Sequence, residues 1–216
     1  MFLQIMKRLF SIQQRKSKLK LMSKSSTVWR HIFKVQFWLT VSLLVLLFNL
    51  APNALAMGGK QPSIGEPAPE FVLPTNTGAK NISLEDYRGQ WVVLYFYPQD
   101  FTSGCTLEAK RFQQDLPEYE ARNTQILGVS VDDVDSHAEF CDSEGLKFPL
   151  LADTNGSVSK AYGSWLGAVA LRHTYLIDPQ GILREIFLGV RPSIHSKEVL
   201  ARLDELEDSL KSEPSA

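Results

Sequence analysis

Six consecutive residues, Trp91-Val92-Val93-Leu94-Tyr95-Phe96, are all apolar and mostly β-branched or aromatic. A run without polar alternation suits a strand covered on both faces, hence a parallel or mixed sheet flanked by helices. The chain then reads Tyr97-Pro98-Gln99-Asp100-Phe101-Thr102-Ser103-Gly104-Cys105, and beyond it Leu107, Phe112, Leu116 and Tyr119 fall at helical spacing. Strand, short loop and helix place Cys105 in the first turn of the helix. Unpaired backbone N–H groups and the positive end of the helix dipole favour a negative charge there. The thiolate, the reactive form of cysteine, is favoured with it. Thr102 or Ser103 is expected to cap the helix through its side-chain oxygen.

The remaining chain repeats the alternation. Short strands are expected over 70–73 and 80–83 around a turn at 76–78, and Ser83 with Asp86 marks a helical turn ending at Gly89. Further strands are expected over 126–131, 148–152, 174–178 and 182–188, the last two joined by Pro179-Gln180-Gly181. Helices are expected from Ser136 to Glu144, stopped by Gly145, and from Ser157 to Tyr162. A last one, capped by Ser196, carries Val199, Leu200, Leu203, Leu206 and Leu210 on one face. The order ββ-α-β-α-β-α-β-α-β-β-α gives an α/β fold, a mixed central sheet with helices on both faces. The domain is expected over 69–211, after a Gly/Pro-rich linker at 57–68 and before a tail at 212–216.

Charge divides the chain. Residues 1–56 hold nine Lys or Arg and no acid, leaving 14 basic against 24 acidic residues in 57–216, a net charge of −10. An acidic body argues against a nucleic-acid partner. The basic start is followed by the uncharged run 35–50, Pro52, and Ala54-Leu55-Ala56. That is the layout of an export signal, with cleavage expected after Ala56. The alternative is an uncleaved membrane tether through residues 35–50, a run slightly short for spanning. Met22 offers a second start that would give a more ordinary signal length. Either reading places the domain outside the cytoplasm, in a periplasm or a thylakoid lumen.

The spacing Pro98-x-x-x-Thr102-x-x-Cys105 carries the chemistry. Cleaving a peroxide needs a thiolate, a donor to polarise the O–O bond and shielding from bulk water. Thr102, one turn before Cys105, can reach the sulfur or a bound peroxide through its hydroxyl. Pro98 restricts the loop and can shield the sulfur, and the N–H groups of Gly104 and Cys105 can donate to incoming oxygens. A guanidinium would complete such a site, and Arg172, just before the strand at 174–178, is the candidate.

These residues resemble the active-site motif of peroxiredoxins, and Tyr97–Ala109 is similar to the peroxiredoxin Q, or bacterioferritin-comigratory protein, branch. Arg172-His173-Thr174-Tyr175-Leu176-Ile177-Asp178 resembles that branch's second signature. The likeness runs from about Ile64 to Leu210. It implies a thioredoxin-like fold and a thiol peroxidase, with Pro98, Thr102, Cys105 and Arg172 at catalytic positions. It also implies a peroxide substrate, a thioredoxin-like reductant and a monomer, with no cofactor and no metal. Many members of the branch carry a resolving cysteine five residues after the first, where this chain has Lys110; others carry it on the next helix, where this chain has Cys141. On that pattern Cys105 becomes a sulfenic acid and Cys141 closes an intramolecular disulfide. Cys141 as a small core residue is the alternative, and leaves a one-Cys enzyme resolved by an outside thiol.

Other readings of the same residues are weaker or open. A thiol–disulfide oxidoreductase wants C-x-x-C, and Cys105-Thr106-Leu107-Glu108 supplies none. A copper-binding module wants a second cysteine at the loop. A peroxide sensor or holdase uses the same thiol chemistry without turnover as its purpose. His137, His173 and His195 lack metal-ligand spacing with the cysteines and read as surface or core residues. Asp132, Asp133 and Asp135 read as a solvated loop, and Trp165 as packing or as a wall of the pocket.

Overall fold

The computed structural model describes residues 58–77 and 80–212. The expected export signal or tether, its apolar run 35–50, Met22 and the cleavage point at Ala56 lie outside the described residues. Among the described residues no helix is long and apolar enough to cross a membrane.

Strands β1 (Val72–Pro74) and β2 (Asn81–Ser83) form an antiparallel pair, followed by a short 3-10 turn at Leu84–Tyr87. The main elements are β3 (Trp91–Phe96), α1 (Ser103–Glu120), β4 (Thr124–Ser130), α2 (Val134–Glu144), β5 (Leu150–Ala152), α3 (Ser157–Ala161), β6 (His173–Ile177), β7 (Leu183–Leu188) and α4 (His195–Ser212). Element order and type follow the expected pattern, with bounds shifted by one to three residues. The five-stranded sheet has the order β5-β4-β3-β6-β7. β3, β4 and β5 run parallel, while β6 and β7 pair antiparallel to their neighbours.

β3 is central and buried along its whole length, which is why its sequence shows no polar alternation. Its side chains still alternate in direction. Trp91, Val93 and Tyr95 join a core with Phe112 and Leu116 of α1 and Val199 and Leu203 of α4. Val92, Leu94 and Phe96 join the other core, with Val158, Tyr162 and the β1–β2 hairpin residues Leu73 and Ile82. Tyr95 lies so close to β4 that a Cβ at Gly128 would fall 2.7 Å from its hydroxyl oxygen.

Several local expectations are corrected. Asp133, not Ser136, caps α2, its carboxylate accepting from the Ser136 N–H at 2.9 Å. Ser196 lies inside α4, and its hydroxyl donates to Asp115 Oδ2 at 2.8 Å. The stretch expected as a linker is bound to the domain from Gly58 onward. Gly58 bridges Trp165, Pro67 bridges Ile182, and the Gly65 N–H and Glu66 carbonyl pair with the Leu183 backbone.

Candidate active site

The sheet register brings Cys105 and Arg172 together. β6 is antiparallel to β3, with Thr174 opposite Tyr95. Extending that register by two residues sets Arg172 beside Tyr97, where the Cys105 loop leaves β3. The site thus lies beyond the carboxyl end of β3, between a parallel and an antiparallel neighbour, a place where α/β sheets commonly bind ligands.

The Arg172 guanidinium faces the sulfur directly, its Nη2 donating to Cys105 Sγ at 3.3 Å. Its Nη1 donates to Glu108 Oε2, one turn further along α1. Gly104 makes room for this approach, since a Cβ there would sit 3.2 Å from Arg172 Nη2. Burial opposes the guanidinium charge, but Glu108 and Cys105 beside it outweigh burial and hold Arg172 protonated. Burial pushes the Glu108 carboxyl up to about 7, with Arg172 pulling the other way. Glu108 was not singled out in the sequence; its spacing of three from Cys105, on the same helix face, was the available signal.

Cys105 sits in the first turn of α1, as its sequence position implies. The first helical bond there runs from the Thr106 N–H to the Thr102 carbonyl at 2.8 Å. The N–H groups of Ser103, Gly104 and Cys105 precede it and are the free donors of the helix end. Both expectations for the Thr102 hydroxyl are corrected. Thr102 is the N-cap by backbone, but its hydroxyl donates to the Gln99 carbonyl at 3.0 Å and neither caps the helix nor reaches the sulfur. The thiol itself is enclosed, with Cys105 only 1% exposed. Half-buried Pro98 and exposed Ser103 precede it in the chain.

Behind the loop lies a polar cluster that the sequence reading missed. Asp100 is buried, and its Oδ1 accepts from the Tyr97 hydroxyl at 2.7 Å. Its Oδ2 accepts from the Ser136 hydroxyl at 2.8 Å and from His137 Nδ1 at 2.9 Å, the carboxylate being the acceptor. The Asp100 N–H donates to Asp132 Oδ2 at 2.9 Å, and Asp132 accepts from Ser130 as well. Burial pushes the Asp100 carboxyl up, but the bonds from His137, Tyr97 and Ser136 outweigh it and hold it below its ordinary range. Asp132 and Asp133 therefore act as acceptors for neighbouring groups, Asp132 half-buried, while Asp133 and Asp135 remain exposed as a solvated loop would be.

Cys141 lies on α2, 6% exposed, with a free thiol like that of Cys105. Both cysteines belong to the same core cluster. Burial pushes the Cys141 thiol up to about 11. His137, His173 and His195 are all buried, and burial, helped by the Arg172 charge, lowers His195 to about 4. Trp165 packs on Gly156 and under Lys160, 4.8 Å from Nζ to the ring centre. Among the described residues no group of three or more His, Cys, Asp or Glu is placed to hold a metal ion.

The family profile described as AhpC/TSA matches residues 64–186, more than half of the chain. This chain belongs to the AhpC/TSA family. Within the family it is similar to "Peroxiredoxin Bcp" of Xanthomonas campestris, 37% identical over 147 residues, covering 63% of this chain and 91% of that protein. It is 37% identical over 169 residues to the "Thioredoxin-dependent peroxide reductase, mitochondrial" of Drosophila melanogaster, covering 73% and 70%. The crystal structure of Xylella fastidiosa PrxQ superposes with a TM-score of 0.64 at 34% identity, covering 69% of this AhpC/TSA chain and 99% of PrxQ. The fold is thus the thioredoxin-like fold of peroxiredoxins, as the sequence resemblance implied.

Proposed function

We propose that this chain is a thiol-dependent peroxidase in which Cys105 reduces hydrogen peroxide or an organic hydroperoxide. The 3.3 Å contact between Arg172 Nη2 and Cys105 Sγ at a helix N-terminus carries this reading. Relatives named as peroxiredoxins and as a thioredoxin-dependent peroxide reductase support the reaction class. The Cys105 thiolate attacks one peroxide oxygen, and a new S–O bond forms as the O–O bond breaks. The leaving oxygen takes its electron pair and a proton, giving water or an alcohol and a sulfenic acid at Cys105. Arg172 and the N–H groups of Gly104 and Cys105 are the donors set to stabilise the developing charge. Pro98 and Thr102 shape the loop, Thr102 through its bond to the Gln99 carbonyl.

Cys141 is proposed to resolve the sulfenic acid. Its thiol displaces the sulfenic oxygen as water and leaves a Cys105–Cys141 disulfide, which an external dithiol of the thioredoxin type reduces. A thiol held at about 11 is ionised to only about one part in ten thousand at pH 7. Cys141 therefore becomes a competent nucleophile only when α2 loosens around it and restores an ordinary thiol.

The domain limits and location belong to the same proposal: residues 1–56 as an export signal cleaved after Ala56 or kept as a tether, and a monomeric domain acting outside the cytoplasm. The N-terminal charge layout supports this reading.

One measurement tests the scheme. The mature protein is treated with one equivalent of peroxide, and its intact mass and free thiols are recorded. The expected product has lost two hydrogens and both thiols, on a chain starting at Met57; Cys141→Ser should instead gain one oxygen. A wild-type product that gains oxygen and keeps one reactive thiol would replace this scheme with the one-Cys mechanism.

A further inference from the structure

The loop that carries Cys105 is fastened at two adjacent residues to the helix that carries Cys141, besides its bonds to Tyr97 and Asp132. Asp100 accepts from Ser136 and His137 in the first turn of α2. The next residue, Phe101, lays its ring against Phe140, centroids 5.1 Å apart, directly before Cys141. To present that ring, Phe101 takes φ +58°, a left-handed conformation uncommon for a bulky residue. Phe101 remains 50% exposed, so burial of its own surface does not explain the strain. Two adjacent loop residues thus grip two successive turns of α2, one by charge and one by ring contact.

We infer that Asp100 and His137 are positioning residues for the second chemical step, in which the two sulfurs join. The inference rests on the proposed roles of Cys105 and Cys141. In the first step Cys105 works from the wound end of α1 beside Arg172, and nothing in that contact uses α2. For the second step the first turn of α1 must unwind, and the question becomes how far Cys105 strays. With the loop held at Phe101, four peptide steps separate the anchor from Cys105. They span about 6 Å as helix and up to about 14 Å extended. That reach is centred on Phe140, one residue from Cys141. A disulfide needs its Cα atoms about 4.4–6.8 Å apart, so the anchored segment has a short search.

When the Asp100 side-chain bonds to Ser136 and His137 are lost, this stretch is held by the Asp100 N–H to Asp132 Oδ2 at 2.9 Å and by the Phe101 ring on Phe140, with the Tyr97 N–H to the Val129 carbonyl at 3.1 Å behind them. Where the first two of those ties give way as well, the free segment doubles from four peptide steps to eight. Loop statistics make that doubling worth about a threefold drop in the local concentration of one sulfur around the other. Loss of orientation adds to it. The first turn of α2 must stay wound for this to work, and it carries its own cap from Asp133. The last turn, with Cys141, is left to loosen.

The test separates the two steps by rapid-mixing kinetics on the full chain. Sulfenic acid formation depends on peroxide concentration, and disulfide closure does not. In Asp100→Asn and His137→Phe the first step should stay within about twofold of wild type, while closure slows by more than the first step, up to about threefold from chain reach alone. Excess peroxide should then drive more of Cys105 to the sulfinic acid. His137→Gln, whose amide can still donate to Asp100, should recover part of the closure rate. Phe101→Ala, at an exposed position, should slow closure without threatening the fold. Equal loss in both steps, or unchanged closure in variants that remain folded, overturns the positioning role. Absence of any disulfide in the wild type would instead overturn the function proposed for Cys141 and leave no second step to position.

Discussion

At the scale of single residues, the site turns on how one guanidinium is shared. Arg172 donates to Cys105 from one nitrogen and to Glu108 from the other, and Glu108 is buried. A bidentate donor held from behind by a carboxylate has little freedom to turn away from the sulfur. Burial raises Glu108 from its ordinary value of 4.5 to about 7. A carboxyl whose folded value is raised adds stability that is complete below about pH 4.5 and is lost as pH climbs to about 7. Glu108→Gln removes that titration and keeps the shape. The variant should match wild type near pH 4 and exceed it above pH 7, by on the order of 1–3 kcal/mol, as read by urea unfolding across pH. Parallel stability curves for the two proteins would mean that Glu108 does not titrate with folding.

The same residues show what the sequence could and could not reveal. Arg172 was legible because a motif placed it, and the antiparallel register then explains why it meets Cys105. Glu108 carried only a helical spacing, which many solvated acids share. Asp100, Ser136 and His137 were illegible as a set, because their link spans 36 or 37 positions and exists only after β4 has turned the chain back. Three capping expectations failed for a related reason. Thr102, Ser136 and Ser196 are competent cap residues, but each hydroxyl has a better partner: the Gln99 carbonyl, Asp100 and Asp115.

At the scale of elements, α1 and α2 have to do opposite things. Packed, they close a core around both thiols; in the proposed cycle, each has to release one. Their outer contacts are light. Lys110 of α1, standing where many relatives of this branch are expected to carry a cysteine, pairs with Glu144 at the end of α2 at 2.5 Å. Gln113 accepts from the Lys147 N–H just beyond it at 2.7 Å. With Lys110 exposed and Glu144 half-buried, a pair near the surface contributes on the order of 1 kcal/mol, so it guides the helix ends without locking them. Cys141 should therefore report opening. In Cys105→Ser, the remaining thiol should react with an alkylating reagent about a hundredfold or more slower than a free thiol at pH 8. It should also reach the free rate in denaturant, since both its access and its ionisation are suppressed by burial. Fast alkylation in the native state would show that α2 is already open, and the gating argument for the second step would fall.

At the scale of the whole molecule, the sheet order sets where the domain begins. β7 is an edge strand. Its first residue is not left open, because Leu183 is bonded on its outer side by Gly65 and Glu66, while Ala68 donates to the Gly181 carbonyl at 2.9 Å. Gly58 adds a bridge to Trp165 on another part of the surface. Composition alone suggested a linker, since Gly and Pro are common both in free linkers and in segments that run flat along a sheet edge. A chain trimmed to start at Pro69 would lose these backbone bonds, expose the buried Leu183 and present a bare strand end to other copies. Against a chain starting at Gly58, it should be less stable by about 2–4 kcal/mol, for four backbone bonds at about 1 kcal/mol or less each, and melt at lower temperature. It should also aggregate on heating, which light scattering during the melt would record. Equal melting temperatures would return residues 58–68 to the status of a linker, and would free the start of the folded body to lie where the sequence alone placed it.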